Sequence, residues 1–155
     1  MAALSHGTDG RPVFGYTLLD PQYSWHSGFV YWYRKLKGLV EAHARGHGCS
    51  LSDSLATLSQ KVAFLELYPY HSENFGLPTS VSSRLRPAQL AIDYAQNVLL
   101  PRARQGKVTL VITRQAKLWR LNPEENVVVY GPLEARSAHL TPGTRGGAAI
   151  LEALS

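Results

Sequence analysis

Acidic, aromatic and imidazole side chains gather at two places in this sequence, each directly after an apolar run. The sequence LLDPQYSWHSG carries Asp20 and Tyr23, and the sequence LELYPYHS carries Tyr68, Tyr70 and His71. Aromatic rings stack on nucleic-acid bases, while carboxylates and imidazoles orient water or transfer protons. These residue types therefore indicate a site for a base or a nucleotide.

Basic residues follow two later apolar runs. Arg114 comes after KVTLVIT, and Arg136 and His139 lie in the segment after NVVVYG. An arginine can bind a phosphate group with two parallel hydrogen bonds, so these residues suit a phosphorylated ligand. The alternative for Tyr68, Tyr70 and His71 is a structural one, in which they only close the end of a sheet.

Glu66 interrupts the apolar run that begins at Val62. Strand alternation places Val62, Phe64 and Glu66 on one face, so we expect a buried carboxylate with a partner or a shifted pKa. Two partners remain open, a hydrogen-bonding ligand and an arginine side chain.

Composition indicates one globular domain over residues 12–155, preceded by a tail at residues 1–11. The chain has 155 residues, 45% apolar residues, a net charge of +5 and a pI of about 9.5, which favours polyanionic partners such as nucleic acid. Cys49 is alone, and no Cys/His spacing resembles a zinc site, so we expect no metal and no cofactor. No run is long enough to span a bilayer and no signal peptide is evident, so we expect a cytoplasmic protein without membrane partners.

Strand and helix patterns alternate along the chain. The strands are predicted at residues 12–19, 61–68, 107–113 and 126–131, with helices at 29–45, 51–60, 86–106 and the C-terminus. Such alternation predicts an α/β fold, a three-layer α/β/α domain with a four-stranded parallel sheet. Ligands of open α/β sheets bind at the carboxyl ends of the strands, so we expect the polar clusters to line one crevice there.

The order of these elements and motifs resembles the uracil-DNA glycosylase superfamily. That family has a four-stranded parallel sheet, an Asp-Pro loop after the first core strand and a His-containing loop after the last. The sequences LLDPQYSWHSG and SAHLTPGT stand at those places, and VTLVITRQAKLWR resembles the third strand with its following helix. The resemblance covers most of residues 12–155 as pattern and order.

The resemblance implies a role for three residues. Asp20 would orient the attacking water, Tyr23 would stack on the base, and His139 would face the carbonyl oxygen of the base. Leu19 replaces the glutamine of the main branch, and Glu66 stands nearest to the missing base-reading asparagine. The resemblance therefore carries over a base-excising chemistry without uracil as its specific substrate.

Two function classes follow. The first is an enzyme that hydrolyses the N-glycosidic bond of a flipped base, with DNA repair as its setting. The second is a non-catalytic domain on the same fold, which binds nucleic acid or another protein.

Overall fold

The chain divides into two units, which the structure, a computed structural model, describes over residues 12–15, 17–68, 76, 78, 81 and 84–155. The first unit combines residues 12–63 with His139–Ser155, and the second comprises Phe64–Ala138. Helices predominate in the described residues, and their sheet has only two strands. The predicted three-layer α/β/α domain with a four-stranded parallel sheet is therefore wrong.

The first unit is helical. Short 3-10 helices at Thr17–Leu19 and Pro21–Tyr23 precede the long helix α1, Ser27–His47, and the helix α2, Leu51–Lys61. Gly48 ends α1 in the left-handed conformation with φ 61°, and the Ser50 hydroxyl caps α2 by accepting a hydrogen bond from the backbone N–H of Asp53. The unit closes with the C-terminal helix, Arg145–Leu154.

The core of the first unit lies between α1, α2 and the 3-10 helix at Thr17–Leu19. Its fully buried side chains are Leu19, Leu36, Leu39, Val40 and Leu58. The three residues from α1 follow the spacing of one helical stripe, which is the pattern that the sequence predicts.

The second unit contains the sheet. Its helix α3, Arg86–Tyr94, continues through a π-helical segment, Ala95–Leu99, into α4, Leu100–Arg104. The backbone N–H of Leu100 bonds to the carbonyl of Ala95, so the extra residue of the π segment precedes Pro101 and the helix passes the proline instead of ending there. Strand β1, Leu110–Ile112, pairs in parallel with β2, Val127–Val129, and Leu110 lies opposite Val127.

Short helices connect and follow these strands. Helix α5, Ala116–Trp119, lies between β1 and β2, and helix α6, Pro132–Ser137, follows β2. The C-terminal helix of the first unit is accordingly α7. The core of the second unit includes Ile92, Ile112, Trp119 and Val127.

Two of the four predicted strands are not strands. The segment predicted at residues 12–19 contains a 3-10 helix at Thr17–Leu19, and in the segment predicted at 61–68, Lys61 ends α2. The backbone at Val62 is extended, but Leu65 and Glu66 are exposed and the segment joins neither β1 nor β2. Apolar composition favours an extended chain, whereas a sheet also needs a neighbouring strand, which local sequence does not specify.

Candidate functional site

Asp20 and Tyr23 lie together in one turn of the first unit. The backbone N–H of Tyr23 donates to the Asp20 carbonyl at 3.0 Å. The Oδ1 of Asp20 accepts the backbone N–H of Gln22 at 3.0 Å, and its Oδ2 accepts the side-chain amide of the same residue. Asp20 thus caps the 3-10 helix Pro21–Tyr23, and its half-buried carboxylate is held in a fixed orientation.

A carboxylate held in this way retains hydrogen-bonding capacity. Each oxygen has two lone-pair positions, and Gln22 occupies one on each oxygen. Asp20 can therefore also accept a hydrogen bond from a water molecule or a ligand hydroxyl.

His139 belongs to the same unit and is exposed, at the start of a loop that leads into α7. The loop is tied by the hydroxyl of Thr144, which accepts the N–H groups of Thr141 and Gly147 and donates to the Thr141 carbonyl. A Cβ atom on Gly147 would lie 1.8 Å from that carbonyl oxygen, so only glycine fits there. The loop after His139 therefore has one tightly defined backbone path.

The other predicted site residues belong to the second unit. Arg114 and Arg136 are exposed, the first directly after Thr113 at the end of β1 and the second in α6. Because β1 and β2 run parallel, Arg114 and the start of α6 share the edge at which both strands end. Arg114 thus lies two residues beyond the end of β1.

The remaining predicted site residues are Glu66, Tyr68, Tyr70 and His71. Glu66 is exposed, so the expectation of a buried carboxylate in a strand is wrong. Tyr68 is half-buried and packs against the core of the second unit. Because residues 61–68 form no strand, Tyr68 does not stand at the end of a central strand, and Tyr70 and His71 lie outside the described residues.

The first unit also presents a basic and aromatic surface that the sequence patterns did not single out. Tyr31, Arg34 and Lys37 are exposed on α1, and Lys35 beside them is half-buried. At 100° per residue these four side chains cover less than half of the helix circumference, so they form one surface, here named the basic–aromatic face. The signal in the sequence was that Tyr31 lies off the apolar stripe of α1.

Positive charge predominates on α1. The helix carries four Lys or Arg side chains, at positions 34, 35, 37 and 45, against the single carboxylate of Glu41. Glu41 lies 3.7 Å from the Nζ of Lys37, whereas Arg34 makes no ion pair within the described part of the chain. The guanidinium of Arg34 is therefore available to an anion.

Trp25 extends this aromatic character to the turn before α1. Its side chain is 77% exposed, compared with 51% for Tyr31 and 9% for Trp119 of the second unit. The Trp25 ring meets the His26 ring edge-on, with centroids 5.7 Å apart. His26 in turn caps α1, because its Nδ1 accepts the backbone N–H of Gly28 at 3.1 Å.

A polar network lies inside the first unit, away from the basic–aromatic face. The Ser54 hydroxyl donates to the Val40 carbonyl at 2.8 Å, so its oxygen accepts the Nδ1–H of His43 at 3.0 Å. Burial lowers the pKa of His43, and the nearby positive charges of His47 and Lys61 lower it further. His43 therefore acts as a neutral donor that ties α1 to α2.

Within the described ranges, no three His, Cys, Asp or Glu side chains are grouped closely enough to hold a metal ion. No helix described in the structure is both long and apolar enough to cross a membrane.

Comparison with known proteins yields no relative for this chain: no family model, no curated protein and no solved structure matches it.

Proposed function

We propose that this protein binds nucleic acid through the first unit, by the basic–aromatic face of α1 and the neighbouring Trp25. The observation that carries the proposal is the position of the exposed Tyr31 among Arg34, Lys35 and Lys37. Lys and Arg neutralise phosphates and release counterions, while exposed rings stack on bases.

The interaction energies of exposed charges favour a polyanionic ligand over a small anion. One exposed ion pair contributes about 0–1 kcal/mol, so a single phosphate on this surface would be held weakly. A chain of phosphates contacts several basic side chains at once, and each contact adds to the affinity and to its salt dependence. The net charge of +5 of the whole chain adds a favourable long-range attraction.

Titration of a labelled 12-nucleotide DNA at two salt concentrations tests the proposal. The affinity should fall steeply with salt, and Arg34→Gln should reduce the slope of log K against log[salt] by about 0.7 for the lost phosphate contact. The matched control is Arg45→Gln, which removes the same charge about 16 Å further along α1 at 1.5 Å per residue.

The two variants separate contact from net charge. The control site lies beyond the Debye length of about 8 Å at physiological salt, so Arg45→Gln should change the slope little. Equal slopes in the two variants would mean that the charge acts only at long range. Absence of binding at low salt would contradict the proposal.

A second candidate function is hydrolysis of an N-glycosidic bond, the chemistry that the resemblance to the uracil-DNA glycosylase superfamily implies. The observation that favours it is the fixed orientation of Asp20, held by Gln22 through both carboxylate oxygens. Such a carboxylate can orient a water molecule and stabilise a cationic sugar in the transition state. Incubation of DNA that contains deaminated bases, followed by alkaline cleavage of abasic sites, tests this candidate.

A further inference from the structure

From the exposed rings of the first unit we infer that the nucleic acid bound there is single-stranded, with bases stacked on Trp25 and Tyr31. This inference rests on the proposed nucleic-acid binding and specifies its substrate class. Trp25 is the most exposed tryptophan of the described residues, and Tyr31 is half open to solvent. Neither ring belongs to the core of the first unit, whose buried side chains are mainly aliphatic and include one aromatic ring, Phe29.

The exposed rings of Trp25 and Tyr31 do not suit duplex DNA as a ligand. In a duplex each base face is covered by its neighbours, and a protein can reach only base edges in the grooves and the phosphates. Single strands offer uncovered base faces, on which an aromatic ring stacks without regard to sequence. An exposed ring beside phosphate-binding side chains therefore fits a single strand better than a duplex.

The positions of the charges agree with this geometry. The Nζ of Lys35 lies 5.5 Å from the centroid of the Tyr31 ring, so a cation already stands over that ring. Arg34 and Lys37 follow Tyr31 on the exposed side of the helix, within about 9 Å along the axis at 1.5 Å per residue. A base on Tyr31 would have its adjoining phosphates within reach of these side chains.

The aromatic rings are also placed where they can be approached. Trp25 lies in the turn just before α1, and Tyr31 lies in the second turn of that helix. His26 contacts the Trp25 ring and caps the helix, so Trp25 directly precedes a fixed backbone segment. A ring that is held in place loses less conformational entropy on binding than one on a mobile tail.

The test compares three probes of equal length: a 12-nucleotide thymidine strand, the same strand with abasic sites throughout, and a 12-base-pair duplex. Anisotropy measures the affinity, and quenching of tryptophan fluorescence reports stacking on Trp25. We expect the thymidine strand to bind at least about tenfold more tightly than the abasic strand, which has the same phosphates, because stacking on each ring strengthens binding severalfold to a hundredfold. The duplex should bind less tightly than the thymidine strand, although it carries twice as many phosphates, because its base faces are covered.

Variants of the two rings should act on the thymidine strand alone. Trp25→Ala and Tyr31→Ala should each weaken its binding about tenfold and leave binding of the abasic strand unchanged. Trp25→Phe and Tyr31→Phe keep a ring and should retain most of the affinity. Tyr94→Ala, which removes an exposed helical tyrosine from the second unit, is the matched control and should change neither affinity.

Failure of this inference differs from failure of the proposed function. Salt-dependent binding of equal strength to all three probes, unaffected by the ring variants, would overturn single-strand stacking and leave phosphate binding intact. No binding to any probe at low salt would overturn both. Melting curves should match that of the unmodified protein for Trp25→Ala and shift only slightly for Tyr31→Ala, whose ring pairs with Lys35 and touches Trp32.

Discussion

The ammonium group of Lys35 lies over the ring of Tyr31, one helical turn earlier on α1, at 5.5 Å from the ring centroid. This pair joins the two chemical features of the basic–aromatic face, a stacking ring and a cation. An exposed cation–π pair contributes about 0.5–1 kcal/mol to folding. Its contribution to nucleic-acid binding is separate, because the same ammonium can contact a phosphate.

Replacement of Lys35 by methionine keeps the length of the side chain and removes its charge. We expect the free energy of unfolding to fall by at most about 1 kcal/mol. The slope of log K against log[salt] for single-stranded DNA should decrease by about 0.7 for the lost phosphate contact. Denaturant unfolding and anisotropy titrations measure the two effects, and an unchanged slope would remove Lys35 from the interface.

Asp20→Asn tests the second candidate function. The amide is nearly isosteric but uncharged, so it cannot stabilise a cationic sugar, and base release should slow by about 10²–10⁴-fold if Asp20 orients the water. DNA binding should not weaken, because the carboxylate that is removed repels phosphates. Asp53→Asn is the control, since Asp53 is another carboxylate of the first unit and lies at the start of α2 beside Ser50. Equal base release by the unmodified protein and Asp20→Asn would exclude a catalytic role for this carboxylate.

The stability of the first unit should depend on pH through His43. Its pKa in the folded protein is lowered by burial, so the unfolded chain, with the ordinary value near 6.5, binds the proton more readily. Stability is therefore fully present above pH 6.5 and decreases as the pH falls below it, levelling off once the pH is below the folded pKa.

Urea unfolding midpoints between pH 7.5 and 5.5 measure this dependence. His43→Gln should flatten the curve, and Ser54→Ala, which removes the acceptor of the Nδ1–H group, should cost about 1 kcal/mol at neutral pH. A midpoint that rises towards pH 5.5 would contradict the assignment of His43 as a neutral donor.

Gly143, in the loop that follows His139, and Gly147, in the first turn of α7, offer a matched pair. A Cβ on Gly147 would clash with the Thr141 carbonyl, whereas a Cβ on Gly143 would meet nothing within 4 Å. Gly147→Ala should destabilise the protein by about 1–3 kcal/mol or more, and Gly143→Ala should change stability by no more than about 0.5 kcal/mol. Thermal melting measures the stability of the two variants. Equal losses of stability would contradict the close packing of Gly147 against the Thr141 carbonyl.

Arg120 ends α5 in the left-handed conformation, with φ 54° and an exposed side chain. Arg120→Gly should stabilise the second unit by up to about 1 kcal/mol, because glycine adopts this conformation without strain. Arg102→Gly makes the same change inside α4 and should destabilise by about 1 kcal/mol. Opposite shifts in melting temperature confirm the assignment, and shifts of the same sign would contradict it.

Local sequence patterns were sufficient to predict several helices. The apolar spacing predicted a helix at residues 29–45 and the structure has α1 at Ser27–His47, while residues 51–60 form most of α2. Gly48, Ser50 and Pro87 stand at the predicted helix ends. These features depend on neighbouring residues along the chain, so the sequence alone determines them.

The buried face of a helix was not decided locally. The spacing predicts packing through Leu90, Tyr94 and Val98, with Ile92 and Leu99 as further candidates. The first three are exposed, whereas Ile92 is buried together with Ala88, Ala91 and Ala95. Both stripes have helical periodicity. Small side chains let a helix approach its neighbours closely. Whether the helix packs through that face depends on the element that packs against it.

The site shows the same division between local and non-local information. The sequence alone determined the composition of the loop around Asp20, the Asp-Pro turn and the basic character of α1. Only the tertiary structure decided that residues 61–68 join neither β1 nor β2, that Glu66 is exposed, and that Trp25 and Tyr31 face solvent. The physical reason is that helix formation and capping are satisfied within a few residues, whereas strand pairing and burial require partners distant in sequence.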